Sequence, residues 1–166
     1  MVSLCWTHGL YDAILYIYNH GIRDYTTPLE ELFTRLSAAL STGKQLTYEQ
    51  IQLGNKILVY ISCCLVGRTY PLGDIPPDRV ATVRDEILRC MTALHTPKHP
   101  EEEPVYPRLR SLVQFDAREF FNVLSLAFDD SGFEMEQKQR IVDILLQLMV
   151  EGSGFSPPQV SYPFRG

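Results

Sequence analysis

Residues 57–66 read Ile57-Leu-Val-Tyr-Ile-Ser-Cys-Cys-Leu-Val66, an apolar stretch with almost no interruption. Upstream, Thr47-Tyr-Glu-Gln50 has the pattern of a capping box, in which two side chains bond the first free amides of a helix. Together these stretches predict a helix that ends near Gly67. Because the helix is apolar on nearly every side, it needs neighbours on more than one face. We predict that it is the central helix of the fold.

On both sides of this helix, apolar residues recur at steps of three and four, whereas strict alternation is not sustained anywhere. The predicted fold is all-α, with about six antiparallel helices that form part of an α-solenoid or, as the alternative, a compact helical bundle. No tetratricopeptide signature is recognisable. The other predicted helices cover Leu10–Gly21, Thr27–Leu40, Pro77–His95, Asp116–Phe128 and Ser131–Gly152, with a short helical turn at Pro107–Leu112.

Three segments lack helical periodicity. Arg68–Pro77 is a proline-punctuated connection, and Thr96–Pro104 combines three prolines with three consecutive glutamates, which is typical of a solvated loop. Ser153–Gly166, called the tail below, is predicted to be disordered or a linker. The domain organisation expected from the sequence is therefore a helical solenoid segment over residues 1–152, followed by the tail.

The composition argues against several classes of protein. With 15 Lys and Arg against 20 Asp and Glu, the 166-residue chain has a net charge of −5, which opposes binding to nucleic acid. No apolar stretch approaches the roughly 18 residues that span a bilayer, and the N-terminus lacks the pattern of a secretion signal, so no membrane insertion is expected. The cysteines (Cys5, Cys63, Cys64 and Cys90) lack zinc-ligand spacing. We expect Cys63 and Cys64, which are adjacent in the apolar run, to be small buried hydrophobic residues, as suits a reducing cytosol.

No combination of side chains predicts catalysis. His95 and His99 have Pro97 between them and no following Glu, so a solvated loop is favoured over a metal site. Asp129-Asp130 fits a helix boundary better than a magnesium site. Ser153 lacks the surrounding pattern of a nucleophile elbow. We therefore predict no catalytic residue, no cofactor and no metal, and a scaffold or interaction role by elimination.

Two segments are candidate protein interfaces. The first is an apolar loop between two helices, and its alternative is a loop folded back to cap the central helix. The second is acidic and could meet a basic partner, although a solubilising loop is the alternative. The candidate residues are Tyr70, Pro71, Leu72, Asp74 and Ile75 in the first segment, and Glu101, Glu102 and Glu103 in the second.

Four blocks of the chain, Leu10–Gly21, Gly54–Pro76, Phe115–Leu124 and Gln139–Leu146, occur in one order and span roughly residues 8–151. In these blocks the chain resembles the vacuolar protein sorting-associated protein eight family. That family supplies a subunit of the CORVET tethering complex and combines an N-terminal β-propeller, a long α-solenoid and a C-terminal RING-like segment. The resemblance covers the solenoid only.

The resemblance implies a non-enzymatic scaffold that acts in endosomal and vacuolar protein sorting and membrane fusion. It also implies other CORVET and class C core subunits as partners, and a cytoplasmic location, peripheral on early endosomes. Contact with an endosomal Rab GTPase would involve regions that this chain lacks. Two other classes stay open: a free-standing helical adaptor would be monomeric with no exposed apolar ends, and an enzyme would show a pocket with convergent polar groups.

Overall fold

Helices form all the regular secondary structure in the residues that the computed structural model describes, which are 1–95, 98–99, 105–129 and 132–151. Outside the helices, the same residues contain two isolated bridges, Arg68 with Asp74 and His95 with Val105. The predicted all-α fold is confirmed. The helices are α1 (Val2–Thr7), α2 (Tyr11–Tyr16) continued by a π-helical turn (Ile17–Gly21), α3 (Thr27–Ser41), α4 (Tyr48–Leu65), α5 (Val80–Met91), α6 (Pro107–Phe128) and α7 (Met135–Glu151).

Helix α4 is the central helix, as predicted. It packs against α3, α5 and α6, and eight of its 18 residues, including Ile57, Ile61 and Leu65, are buried. The capping box is present: the Gln50 amide donates to Thr47 Oγ1 (3.2 Å), and the Thr47 amide donates to Gln50 Oε1 (2.9 Å). The helix ends at Leu65, two residues before the predicted end at Gly67, and Gly67 then adopts a φ of +85° that other residues rarely adopt.

The start of α3 differs from the prediction. The sequence pattern indicates Thr27 as the capping hydroxyl, but the carboxylate of Asp24 takes this role. Asp24 Oδ1 accepts from the amides of Thr26 (3.1 Å) and Thr27 (3.0 Å). The preceding helical segment does end at Gly21, although the left-handed backbone conformation belongs to Arg23, with a φ of 53°.

Helix α6 contains a sharp kink at Asp116, whose φ of −160° and ψ of 85° are extended. Asp116 Oδ1 accepts from the Glu119 amide (3.1 Å), so the predicted cap of a new helix is confirmed inside one longer element. The residue before the kink, Phe115, lies against Gly54 of α4. A Cβ atom at Gly54 would lie 2.2 Å from Phe115 Cζ, so the glycine permits this close approach of α4 and α6.

Other helix boundaries correct the prediction. The sequence pattern missed α1, and α5 covers Val80–Met91 instead of Pro77–His95, because residues 77–79 form a turn and the Thr92 hydroxyl donates to the Leu88 carbonyl at the helix end. Leu10 and Leu94, predicted on apolar faces, are 52% and 49% exposed.

The chain divides into two units, Met1–Gly132 and the segment from Phe133 onward. The second unit, as far as it is described, is α7, which begins at Met135. Met149, which the sequence pattern groups with Ile141, Leu145 and Leu148, is 58% exposed, whereas those three residues are buried. Ser131, Gly152 and the tail lie outside the described residues, so the predicted helix cap, helix end and tail are not described.

Candidate interaction surface

The loop between α4 and α5 is held in one shape by its own backbone. The Ile75 amide donates to the Gly67 carbonyl (2.9 Å), and the Thr69 amide donates to the Gly73 carbonyl (3.1 Å). The Thr69 hydroxyl donates to the Leu72 carbonyl, and the Tyr70–Pro71 peptide bond is cis. Gly73 has a φ of +105°, which closes the turn. The loop tip is therefore fixed at both ends.

The five predicted interface residues of this loop divide into two groups. Tyr70 and Ile75 are 8% and 1% exposed, so they anchor the loop on the helices as the alternative interpretation expects. Pro71, Leu72 and Asp74 are exposed, and Leu72 is 78% exposed. The acidic candidates Glu101, Glu102 and Glu103 lie outside the described residues.

A buried polar network joins the loop to the helices beneath it, and no sequence pattern predicted this network. Asn19, 2% exposed, accepts from the Tyr70 amide through Oδ1 (3.2 Å) and donates through Nδ2 to Tyr60 Oη (2.9 Å) and to the Asp24 carbonyl (3.3 Å). Tyr60 Oη donates to the Tyr25 carbonyl (2.7 Å). Burial raises the pKa of Tyr60 far above its ordinary value, so its phenol remains a donor. A polar residue in the apolar run around Asn19 was the available signal.

A second cluster ties the loop to α2 and α4. Tyr70 Oη donates to Asp12 Oδ1 (2.8 Å), and Lys56 Nζ lies 2.7 Å from both of these oxygens. Lys56 Nζ also lies 5.1 Å from the centroid of the Tyr70 ring, within cation–π range. The loop is thus joined to helices α2 and α4 by one charged cluster.

The charges in this cluster stabilise each other. Burial favours a raised pKa for Asp12, but the hydrogen bonds from Lys56 and Tyr70 and the charge of Lys56 outweigh burial and lower that pKa below its ordinary value. Burial likewise favours a lowered pKa for Lys56, yet hydrogen bonding to Asp12 and Tyr70 raises it. The amine is therefore held protonated, which does not suit a nucleophile or a general base.

Beside the loop tip, the exposed His20 contacts both the loop backbone and the exposed ring of Tyr16. His20 Nε2 lies 3.0 Å from the Leu72 carbonyl oxygen, and the rings of His20 and Tyr16 are 4.6 Å apart, centroid to centroid. Tyr16 is 54% exposed. We call Tyr16, His20, Pro71 and Leu72 the Leu72 patch. It presents an aromatic ring, an imidazole and an aliphatic side chain on a rigid support, which suits contact with another protein.

A groove of about 910 Å³ lies beside the Asp12–Lys56 pair, between the α1–α2 connection and the first turns of α4. The Arg35 guanidinium lies 4.7 Å from the centroid of the Trp6 ring at this groove. Charges of both signs line it, from Asp12, Glu49, Arg35 and Lys56. Among the described residues, its lining holds no group of three or more side chains placed to bind a metal ion.

The four thiols are shielded from solvent to different degrees. Cys5, Cys64 and Cys90 are buried, Cys63 is half-buried, and all of them are free. Burial raises the pKa of the Cys90 thiol to about 11, and it also raises those of Cys63 and Cys64. These three thiols are therefore protonated at neutral pH and poor nucleophiles.

The described residues contain neither a metal-binding cluster nor a membrane-spanning helix. Within residues 1–95, 98–99, 105–129 and 132–151, no group of three or more His, Cys, Asp or Glu side chains is placed to hold a metal ion. In the same ranges, no helix combines the length and apolar character needed to cross a membrane.

Comparisons with known proteins give one consistent result. The family model described as the Vps8 central TPR matches residues 1–128. The human "Vacuolar protein sorting-associated protein 8 homolog" is 49% identical over 99% of this chain, and its Drosophila melanogaster counterpart is 39% identical over 86%. The Saccharomyces cerevisiae "Vacuolar protein sorting-associated protein 8" is 26% identical over 89% of this chain. The chain spans 12%, 11% and 14% of the lengths of these relatives, respectively. No solved structure matches the chain.

Proposed function

Because the chain belongs to the Vps8 family, through its central TPR region, we propose that it is a non-enzymatic scaffold segment of the CORVET endosomal tethering complex. The family match over residues 1–128 carries this proposal. Its relatives are named as vacuolar protein sorting proteins. Packed helices in series supply an extended surface for partners, and a tether of this kind requires no chemistry from its side chains.

The proposed partners are other CORVET subunits and those of the class C core. In this proposal the segment works in the cytoplasm, peripheral on early endosomes, and contributes to membrane fusion through protein–protein contacts. Contact with an endosomal Rab GTPase belongs to regions outside this chain. The match to a family of sorting proteins supports a role without catalysis.

Within this scaffold, the proposed contact surface is the Leu72 patch. Leu72 is exposed, while its carbonyl and the adjoining Thr69 and Tyr70 are held by hydrogen bonds. A side chain presented on a fixed loop loses little conformational entropy when a partner covers it. The buried Tyr70 and Ile75 therefore serve the surface as anchors, and Pro71 and Leu72 make the contact.

The test is capture of purified CORVET subunits, one at a time, by the immobilised full chain. We expect the wild-type chain to capture at least one subunit, and Leu72→Asp to weaken that capture about tenfold or more, as for other central apolar contacts. The matched control is Leu126→Asp, which changes a leucine that is 58% exposed on α6 and should bind like the wild type. If no subunit binds the wild type, the scaffold proposal is wrong. If Leu72→Asp and wild type bind equally, the Leu72 patch is not the contact surface.

A further inference from the structure

Helix α4 keeps one arc exposed, although α3, α5 and α6 pack against it. Successive residues of an α-helix are about 100° apart, which places four exposed apolar side chains of α4 and its C-terminal cap within an arc of about 80°. The arc runs for about 27 Å along the helix, at roughly 1.5 Å per residue. These residues, which we call the Val59 stripe, are Tyr48 (76% exposed), Ile51 (41%), Val59 (49%) and Val66 (38%).

The Val59 stripe carries no charge. The helical positions between its members belong to Asn55 and Ser62, which are neutral. Single exposed apolar residues are ordinary on a protein surface, but an apolar arc along a whole helix is typical of a contact site. The charged side chains of α4 are Glu49 and Lys56, and Lys56 already belongs to an ion pair (2.7 Å). The surface that covers this stripe must therefore be largely uncharged as well.

Opposite charges lie at the two ends of the stripe. Glu49 is exposed in the first turn of α4, and Arg68 is exposed just beyond the end of the helix. Among the residues that the structure describes, neither of these side chains forms an ion pair. Glu49 lies ten residues before Val59, and Arg68 lies nine residues after it. The two charges are therefore nearly equally far from the middle of the stripe.

Both charges also lie on one flank of the stripe. Relative to Tyr48, the helical angles of Glu49 and Cys63 are about 100° and about 60° in the same direction. Arg68 is close to Cys63, because its amide donates to the Cys63 carbonyl (2.8 Å). Burial raises the pKa of the Cys63 thiol, and the positive charge of Arg68 opposes that rise. Arg68 thus lies on the same flank as Glu49.

We infer that the Val59 stripe is a self-association surface, on which two copies of the chain pair α4 against α4, antiparallel, about a two-fold axis close to Val59. Such an axis crosses both helices at right angles, so it keeps the same flank of each helix on the same side and reverses the direction along them. Glu49 of each copy then lies beside Arg68 of the other, which gives two complementary charge pairs. The antiparallel direction also brings opposite ends of the two helix dipoles together.

The pairing is closed, because each copy uses the same face, so it produces a dimer and no larger assembly. The contact involves one helix from each copy, which is at the small end of specific interfaces. We therefore expect a dimer that dissociates in the micromolar range. The contact does not depend on the proposed tethering role, because it needs no other subunit.

Sedimentation equilibrium of the full chain in a reducing buffer tests this inference. The concentrations run from about 1 μM to about 1 mM, which covers the dissociation constants of weak dimers. We expect the average mass to rise from that of one chain to that of two, and no higher. Val59→Asp should raise the dissociation constant at least about tenfold, because it places two like charges near the axis. Leu126→Asp, at a leucine of α6 that is 58% exposed, is the matched control and should behave like the wild type.

Exchange of the two end charges tests the direction of the pairing. Glu49→Arg alone and Arg68→Glu alone each place like charges side by side, so each should weaken the dimer about three- to tenfold. The two substitutions together restore opposite charges, and the dissociation constant should return to within about twofold of the wild type. Because both side chains are exposed, the melting temperature of each variant should stay near that of the wild type.

Three results would overturn the inference. In the first, the wild type keeps the mass of one chain at the highest concentration. In the second, Val59→Asp dimerises as well as Leu126→Asp, because another surface then joins the two copies. In the third, the combined exchange of Glu49 and Arg68 leaves the dimer as weak as the single exchanges do, because the two charges then do not meet across the axis.

Discussion

Replacing Tyr60 with Phe removes one buried oxygen atom and keeps the shape of the side chain. Tyr60 is 0% exposed, and its hydroxyl donates to the Tyr25 carbonyl (2.7 Å) and accepts from Asn19 Nδ2 (2.9 Å). After the substitution, Asn19 Nδ2 retains only the longer contact with the Asp24 carbonyl (3.3 Å) among these partners. Because Phe fills the same space, the change leaves no large cavity, and the loss is that of the hydrogen bonds.

The expected loss of stability follows from those two bonds. Leaving a buried hydrogen-bonding group without its partner costs about 1 to 3 kcal/mol. Tyr60→Phe takes a hydrogen-bond partner from both the Tyr25 carbonyl and the Asn19 side-chain amide. We therefore expect it to lower the free energy of unfolding by about 2 to 3 kcal/mol. At roughly 2 to 4 °C per kcal/mol for a chain of this length, the melting temperature falls by about 5 to 10 °C.

The assay is urea unfolding of the full chain followed by far-UV circular dichroism, with linear extrapolation and a check that the m-value is unchanged. Tyr48→Phe, in the same helix but 76% exposed, is the control and should stay within about 0.5 kcal/mol of the wild type. A double-mutant cycle with Asn19→Ala should show coupling between the two side chains. A loss below about 0.5 kcal/mol for Tyr60→Phe would refute the buried network.

Three further predictions concern packing and charge. Gly54→Ala should lower the free energy of unfolding by about 1 kcal/mol in urea unfolding, because the new Cβ meets the Phe115 ring at 2.2 Å. In a Phe115→Ala background, Gly54→Ala should instead raise the free energy of unfolding, since Ala favours a helix over Gly by about 1 kcal/mol. If Gly54→Ala changes stability in the same direction in both backgrounds, the steric argument is wrong. Burial raises the pKa of the Cys90 thiol to about 11 in the folded chain, against an ordinary value of 9.0. The free energy of unfolding should therefore fall as the pH rises from 9 to 11, and it should fall less steeply in Cys90→Ala. Equal slopes in the two proteins would exclude Cys90 as a cause of this pH dependence. Because the pKa of Asp12 is lowered in the folded chain, its carboxylate contributes stability above pH 3.8, and this contribution is lost as the pH falls further. Thermal melts should therefore show a small loss of melting temperature for Asp12→Asn at pH 7 that disappears in strong acid. A loss that does not depend on pH would show that it comes from something other than the pair with Lys56.

Much of the fold could be predicted because its signals are local. The capping box joins Thr47 and Gln50, three residues apart, and the cap of the second half of α6 joins Asp116 and Glu119 at the same separation. The apolar run of α4 predicted several neighbouring helices because a single neighbour covers apolar side chains on one face only. The prediction was wrong where two nearby side chains could cap the same helix. At the start of α3, Asp24 supplies the cap that was expected from Thr27.

The candidate surface was only half determined by the sequence. Its apolar loop was found, but which side chains are anchors and which are exposed depends on contacts between distant residues. Tyr70 bonds Asn19 and Asp12, which precede it by 51 and 58 residues, and Asn19 bonds Tyr60 across 41 residues. No short pattern encodes such pairs, because their geometry exists only once the helices have packed.

The sequence by itself thus determined that this chain is a series of helices, where most of them begin and end, and which family it belongs to. Tertiary structure alone decided that Asn19 is buried, that Lys56 is held protonated between Asp12 and Tyr70, and that Leu72 rather than Tyr70 faces outward. The reason is that helix formation depends on bonds and side-chain spacing within one or two turns, whereas burial and charge pairing depend on which surfaces meet.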